Sequence, residues 1–308
     1  MIKTYSSDHL KKNLGFFFTY NNKEILGAQS GLPFLDSCTE GFFGLVGLTG
    51  EPGTGKTSLA VQTTVFNAFD LYGKPEIICP VLYISLEVNK DLLITKIISY
   101  LIGVPLKKIL KGGMNFEESR RFFSALLEVN NNKNLSIIDA SEVSFSLIES
   151  QIKDLKADFF KNNGEEKEVL VVLDYLNIFH SLPKLERKEA LTDNSKVSIQ
   201  MKEFITIKNM TKSNWLIILA KNKKGYKTQD MGSIKGSGDL EYGFETIMSL
   251  APPDEEFPIS DFAPDEENGF EIVNVVLKLL KARWESTNKI IPLFFNGQKN
   301  KFFEPKNT

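Results

Sequence analysis

The sequence predicts an α/β fold: a mostly parallel, twisted sheet flanked by helices, with antiparallel strands added at one edge. Three observations point there. A complete G-x-x-x-x-G-K-[ST] loop at 50–57 lies between an apolar strand-like run and a helix start. Four further short apolar runs alternate with helical stretches. Beyond residue 250 the alternation gives way to acidic, proline-marked loops that separate strand-like segments.

In chain order, residues 1–25 read as an N-terminal extension, with Lys11, Lys12 and the aromatics Phe16, Phe17, Phe18 and Tyr20. Those rings either dock on the chain's own core or pack on a neighbouring subunit. Residues 26–308 read as one domain. The first strand, at 44–49, runs into the glycine loop, and 58–63 continue as a helix. The runs 81–85, 135–138, 169–173 and 215–219 are almost wholly apolar, as strands buried on both faces must be. Helical patterns cover 90–102, 116–128, 145–161 and 187–212, between the strands. Segments 271–280, 289–295 and 301–304 supply the antiparallel edge.

Composition limits the function classes. Of 308 residues, 42% are hydrophobic and 25% charged, the profile of a globular protein. The net charge of −2 gives no global basic field, so any nucleic-acid contact must come from a local patch. Cys38 and Cys79 are isolated, which fits a reducing compartment and excludes a C-x-x-C zinc site. His9 and His180 are too few for a histidine-rich metal centre. No apolar run approaches the ~18 residues of a membrane span, and the first residues lack the apolar stretch of a signal peptide. A soluble, cytoplasmic protein is expected.

The loop Gly50-Glu51-Pro52-Gly53-Thr54-Gly55-Lys56-Thr57, with Ser58 behind it, is a phosphate cradle. Glycines let backbone N–H groups approach an anion, and the helix N-terminus adds its dipole. Lys56 is placed to reach the β- and γ-phosphates and the Thr57 hydroxyl to hold Mg²⁺, so ATP with Mg²⁺ is the expected ligand pair. Hydrolysis also requires a metal-side carboxylate, a group that orients water, and positive charge for the transition state. Asp174 ends an apolar run at the strand edge where ligands of such sheets collect, and suits the metal. Glu87 ends the 81–85 run the same way and could polarise water; read alone, it serves equally as an acidic residue starting a helix. Lys281 and Arg283 alternate along a strand and could stabilise phosphate charge, although a solvated basic pair has the same pattern. The stretch 221–238 is the most basic in the chain, and Lys223, Lys224, Lys227, Lys235, Gly236 and Gly238 are its candidate nucleic-acid contacts.

Taken in order, these segments resemble the C-terminal ATPase domain of DnaB-type replicative helicases over roughly 27–304. The lead-in Gly31-Leu32-Pro33-Phe34-Leu35-Asp36 is similar to that family's. Tyr83-Ile84-Ser85-Leu86-Glu87 resembles its strand ending in Ser-Leu-Glu, whose glutamate is the catalytic base. Gly103-Val104-Pro105-Leu106 is similar to a helix connection of the family, and Asp174-Tyr175-Leu176-Asn177 to its Asp-Tyr-Leu-Gln segment. Lys235-Gly236-Ser237-Gly238 takes the place of a loop gripping the DNA backbone, and Lys281-Ala282-Arg283 that of a lysine and arginine finger. The resemblance implies a RecA-like core in a ring, commonly a hexamer. ATP would lie between subunits, with single-stranded DNA in the channel and Arg283 and Lys281 offered to the neighbouring subunit's nucleotide.

There are departures. Only 1–25 precede the core, so the family's N-terminal helical domain, which contacts primase and stabilises the ring, is not expected. Asn177 stands where the family has glutamine, and Ala220-Lys221-Asn222 where it has Ser-Gln-Leu. Two other functions share the core: a strand-exchange or clock-type ATPase of the RadA/KaiC group, and an ATP-gated loader or assembly subunit that hydrolyses little.

Overall fold

Apolar segments of four to six residues, too short for helices, form the strands at the centre of the protein. The computed structural model describes residues 25–70, 79–139, 143–176, 193–221, 234, 242–253, 272–283, 287 and 289–305. The strands are β1 (Leu45–Gly50), β2 (Val81–Ser85), β3 (Leu135–Ile138), β4 (Leu170–Asp174), β5 (Asn214–Ile218), β6 (Thr246–Ala251), β7 (Val273–Ala282), β8 (Ile290–Asn296) and β9 (Lys301–Phe303). Among the described residues they make one sheet in the order β3-β2-β4-β5-β1-β6-β7-β8-β9. The first six in that order run parallel, and β6 through β9 pair antiparallel.

Strand alternation divides the core in two. Val46, Leu48, Tyr83, Val172 and Ile218 face one side, against α1 (Pro33–Thr39), α2 (Lys56–Ala68), α3 (Lys90–Ile102) and α5 (Phe116–Asn131). Leu45, Leu82, Val171, Leu173 and Trp215 face the other, against α6 (Phe145–Asn163) and α7 (Asp193–Thr211). The short α4 (Leu106–Leu110) links α3 to α5. Both faces are buried along β1, β2, β4 and β5, which is why those strands lack polar alternation; β3, at the sheet edge, is only partly buried, contrary to the expectation from its apolar run.

Side chains fix the helix starts. The Asn89 carboxamide accepts the Leu92 N–H, and the Ser144 hydroxyl accepts that of Leu147. Asn115 and Glu118 form a reciprocal capping box. The Asn89 cap makes α3 start shortly after Glu87, so both lie beside the carboxyl edge of the sheet.

One strand lies where sequence patterning showed none. β6 contains the polar Thr246 and Ser249, yet it sits in mid-sheet between β1 and β7 and is fully buried. Against it β7 carries a bulge: Ile247 pairs with Lys281 and Met248 with Leu279, so Leu280 is skipped. Lys281 is therefore within β7, and Arg283 lies immediately beyond it.

Candidate nucleotide site

The glycine loop leaves β1 at the carboxyl edge and enters α2, whose N-cap, Gly55, has no side chain to satisfy the first helical N–H groups. Two close approaches set its shape. A Cβ on Gly50 would lie 2.5 Å from the Leu250 carbonyl oxygen. Gly55 has φ of +94°, and a Cβ there would lie 2.7 Å from Cζ of Phe302. Phe302 stacks on Phe295 with centroids 4.4 Å apart, so the β8–β9 hairpin braces the loop from one side. The same hairpin holds α2: Ser58 Oγ donates to Asn300 Oδ1 at 3.1 Å, and the Phe302 N–H donates to Gln62 Oε1 at 2.7 Å.

Lys56 curls back over the loop, donating from Nζ to the carbonyls of Gly50 at 2.9 Å and Glu51 at 2.7 Å. Burial lowers its pKa, while the nearby Asp174 and Glu87 carboxylates act to raise it. Thr57 Oγ1 and the Tyr83 hydroxyl both donate to Asp174 Oδ2, at 2.9 and 3.1 Å. Burial and the Asp174 charge hold the Tyr83 phenol well above its usual range, so it remains a donor. Asp174 is 1% exposed, and burial raises its pKa against those two hydrogen bonds. Its second oxygen, Oδ1, is buried with no hydrogen-bond partner among the described residues. An unmatched buried acceptor of this kind costs about 1–3 kcal/mol, and a cation would satisfy it. The chemistry of Thr57 and Asp174 thus fits a Mg²⁺ ion, which these two side chains would hold. Among the described residues no cluster of three His, Cys, Asp or Glu could hold a metal by itself.

Lys56, Thr57 and Asp174 line a cavity of about 550 Å³, joined by the exposed Glu87, by Lys96 of α3 and by Lys221. The cavity brings together Gly50, Pro52, Gly53, Gly55, Lys56, Thr57 and Ser58 of the loop with Asp174 and Glu87. Glu51 and Thr54 belong to the same loop, closed by Thr54 Oγ1 donating to the Glu51 carbonyl at 2.9 Å.

Lys281 and Arg283 are elsewhere. Lys281 pairs with Ile247, in line with Gly47 rather than Gly50, three residues short of the loop and two strands across. That is about 10 Å back along the strands and about 10 Å sideways. Lys281 Nζ donates to the Phe244 carbonyl at 2.7 Å, and Arg283 Nη2 to that of Tyr242 at 3.4 Å. Arg283 also approaches Glu245 at 4.0 Å, and its side chain is 49% exposed. Glu245 is anchored: it accepts the Leu45 N–H at 2.6 Å and pairs with Lys208 at 2.8 Å.

A model of the DnaB-like helicase C-terminal domain matches residues 27–304. The chain belongs to that family. Among curated DnaB-like relatives, a probable replicative DNA helicase from Trieres chinensis is 24% identical over 301 residues, covering 92% of this chain and 59% of that protein. The chain spans about half the length of the other DnaB relatives it matches first. Among solved structures, one isolated ATPase domain superposes with a TM-score of 0.75 at 20% identity, covering 99% of this chain and 100% of that one. A DnaB-like replicative helicase studied with its primase interactions gives 0.74 at 21%, covering 99% and 68%. These structures share the RecA-like fold of this DnaB-family domain: a mostly parallel sheet with antiparallel C-terminal strands. Among the described residues no helix is long and apolar enough to cross a membrane.

The candidate nucleic-acid residues Lys223, Lys224, Lys227, Lys235, Gly236 and Gly238 lie outside the described residues, as does Asn177. Two residues of that basic stretch are described: Lys221 and Ile234 form an isolated antiparallel bridge, both buried. Sequence patterning missed Tyr83, Lys96 and the Phe295–Phe302 brace. A tyrosine in an apolar strand and a lysine on an amphipathic helix carry no signal until the strands are placed side by side.

Proposed function

We propose that this chain is an ATP-driven DNA helicase or translocase motor, working in DNA replication as a ring, a hexamer by family analogy, with ATP hydrolysed between subunits. The observation that carries the reading is the division of the site. The phosphate loop, Asp174 and Glu87 share one cavity, whereas Lys281 and Arg283 sit toward the opposite edge of the same sheet. A chain so arranged supplies one half-site to its own nucleotide and the other to a neighbour's.

In the proposed reaction Lys56 and the loop N–H groups hold the β- and γ-phosphates. Thr57 and Asp174 would hold Mg²⁺, which when bound would neutralise phosphate charge. Glu87 orients a water and takes its proton as the water attacks the γ-phosphorus, and the bond to the β–γ bridging oxygen breaks, leaving ADP. Arg283 and Lys281 of the adjacent subunit stabilise the charge that develops on the transferred group. Lys221, lining the cavity at the start of the basic stretch, joins nucleotide to the segment proposed to grip single-stranded DNA. A primase or loader is the proposed protein partner and the cytoplasm the proposed compartment.

The test is Mg²⁺-ATP turnover with and without single-stranded DNA, together with strand displacement on a forked duplex. DNA-stimulated hydrolysis that is lost in Lys56→Ala supports the motor. Slow hydrolysis indifferent to DNA sinks it and favours the loader or assembly role.

A further inference from the structure

Lys96 is not explained by the reaction above. It lies two turns into α3, the helix that follows Glu87, and of the residues of α3 it alone lines the nucleotide cavity. It is half-buried. Lysines on an amphipathic helix ordinarily turn to water, because desolvating an ammonium is costly. Here burial does lower the Lys96 pKa, opposed by the charges of Asp174 and Glu87. Yet among the described residues Lys96 makes no ion pair or hydrogen bond with either carboxylate. An inward-facing ammonium near two carboxylates but bonded to neither is arranged for an anion that arrives between them.

Its position indicates which part of the anion. The loop and Lys56 follow β1; Glu87 and Lys96 follow β2, three strand spacings away with β5 and β4 between. That separation is about 14 Å, with the metal-side Asp174 on β4 between them, one spacing from β2. A triphosphate held at its β-phosphate by the loop would extend its terminal phosphate toward Asp174 and Glu87, on the side of the cavity that Lys96 lines.

We infer that Lys96 is a second cation in cis for the terminal phosphate of the nucleotide, facing Lys56 across the cavity, so that the chain distinguishes ATP from ADP before any neighbour contributes. The inference rests on the proposed nucleotide site and adds the residue that reads the γ-phosphate. A charge-assisted contact of this kind amounts to tenfold or more in affinity, about 1.4 kcal/mol per decade.

The experiment is equilibrium binding of ATPγS and of ADP, each with Mg²⁺, to the full chain and to Lys96→Met, Lys96→Gln and Lys96→Arg. Lys96→Met and Lys96→Gln are expected to weaken ATPγS by about tenfold or more while ADP changes less than about threefold, and Lys96→Arg to restore most of the loss. Equal weakening of both ligands, or of neither, overturns the assignment. Should the unsubstituted chain bind neither nucleotide, the site reading itself fails, and that outcome is distinct from the first. Thermal unfolding of each variant separates lost binding from lost folding.

Discussion

Gly55→Ala tests the brace behind the phosphate loop. The added methyl meets two obstacles. At φ of +94° the backbone is in a region open to glycine but strained for alanine, at a cost of roughly 1–2 kcal/mol. The new Cβ would also lie 2.7 Å from Phe302 Cζ and 3.0 Å from Phe295 Cζ. Phe302 is 2% exposed and stacked on Phe295, so its ring cannot swing aside. Forcing one carbon into such packing costs about 1–3 kcal/mol. Together the loss is about 2–5 kcal/mol, a large part of the roughly 5–15 kcal/mol that holds a domain folded. Urea unfolding followed by circular dichroism would measure it. A double-mutant cycle with Phe302→Leu isolates the steric part: shortening the ring should return about 1–3 kcal/mol to the alanine variant, leaving the backbone strain. Gly55→Ala unfolding within about 0.5 kcal/mol of the parent, or a cycle with no coupling, would refute the brace.

Two further predictions concern charge. Asp36 is buried at the start of the fold, accepts the Ser30 N–H at 2.8 Å, and has its pKa raised by burial from 3.8 to about 6. The folded chain then binds more protons than the unfolded one between about pH 4 and pH 6, so stability falls as pH rises through that window, by roughly 3 kcal/mol at 1.36 kcal/mol per unit. Asp36→Asn should therefore stabilise the protein at pH 7.5 and have much less effect at pH 4.5, as read from urea midpoints; a gain of equal size at both pH values contradicts the burial cause. Arg283→Ala should leave ATP binding intact while lowering turnover by about 10³-fold or more. Mixing it with Lys56→Ala subunits should restore part of the activity, whereas normal turnover by Arg283→Ala alone would end the shared-site mechanism.

The phosphate loop and Asp174 were legible because their signals are local: fixed spacing in one case, a carboxylate closing an apolar strand in the other. The strands at 81–85 and 135–138 were legible for the same reason. β6 was not, because Thr246 and Ser249 interrupt its apolar character, and only its place between β1 and β7 makes burial favourable. The bulge at Leu280 was hidden too, since an extra residue in a strand has no composition of its own. Alternation suggested a shared face for Lys281 and Arg283; what they share is the segment Tyr242–Phe244, whose Tyr242 and Phe244 carbonyls accept from Arg283 and Lys281 respectively. Lys96 and Tyr83 depend on neighbours 78 and 91 positions away, Asp174 for both, and distances of that kind become visible only after the sheet is assembled.

The anchoring of Glu245 gives β1 a mechanical character. Its carboxylate grips the first N–H of β1, while its backbone carbonyl receives the Arg283 N–H at 3.1 Å. At its far end the same strand becomes the phosphate loop. If Arg283 touches a neighbour's nucleotide, Leu45–Gly50 is a strut between two ATP molecules in adjacent subunits, buried along its whole length and paired on both sides. In such a ring, a shift at the root of β1 would reach its tip through six residues of backbone, linking successive sites.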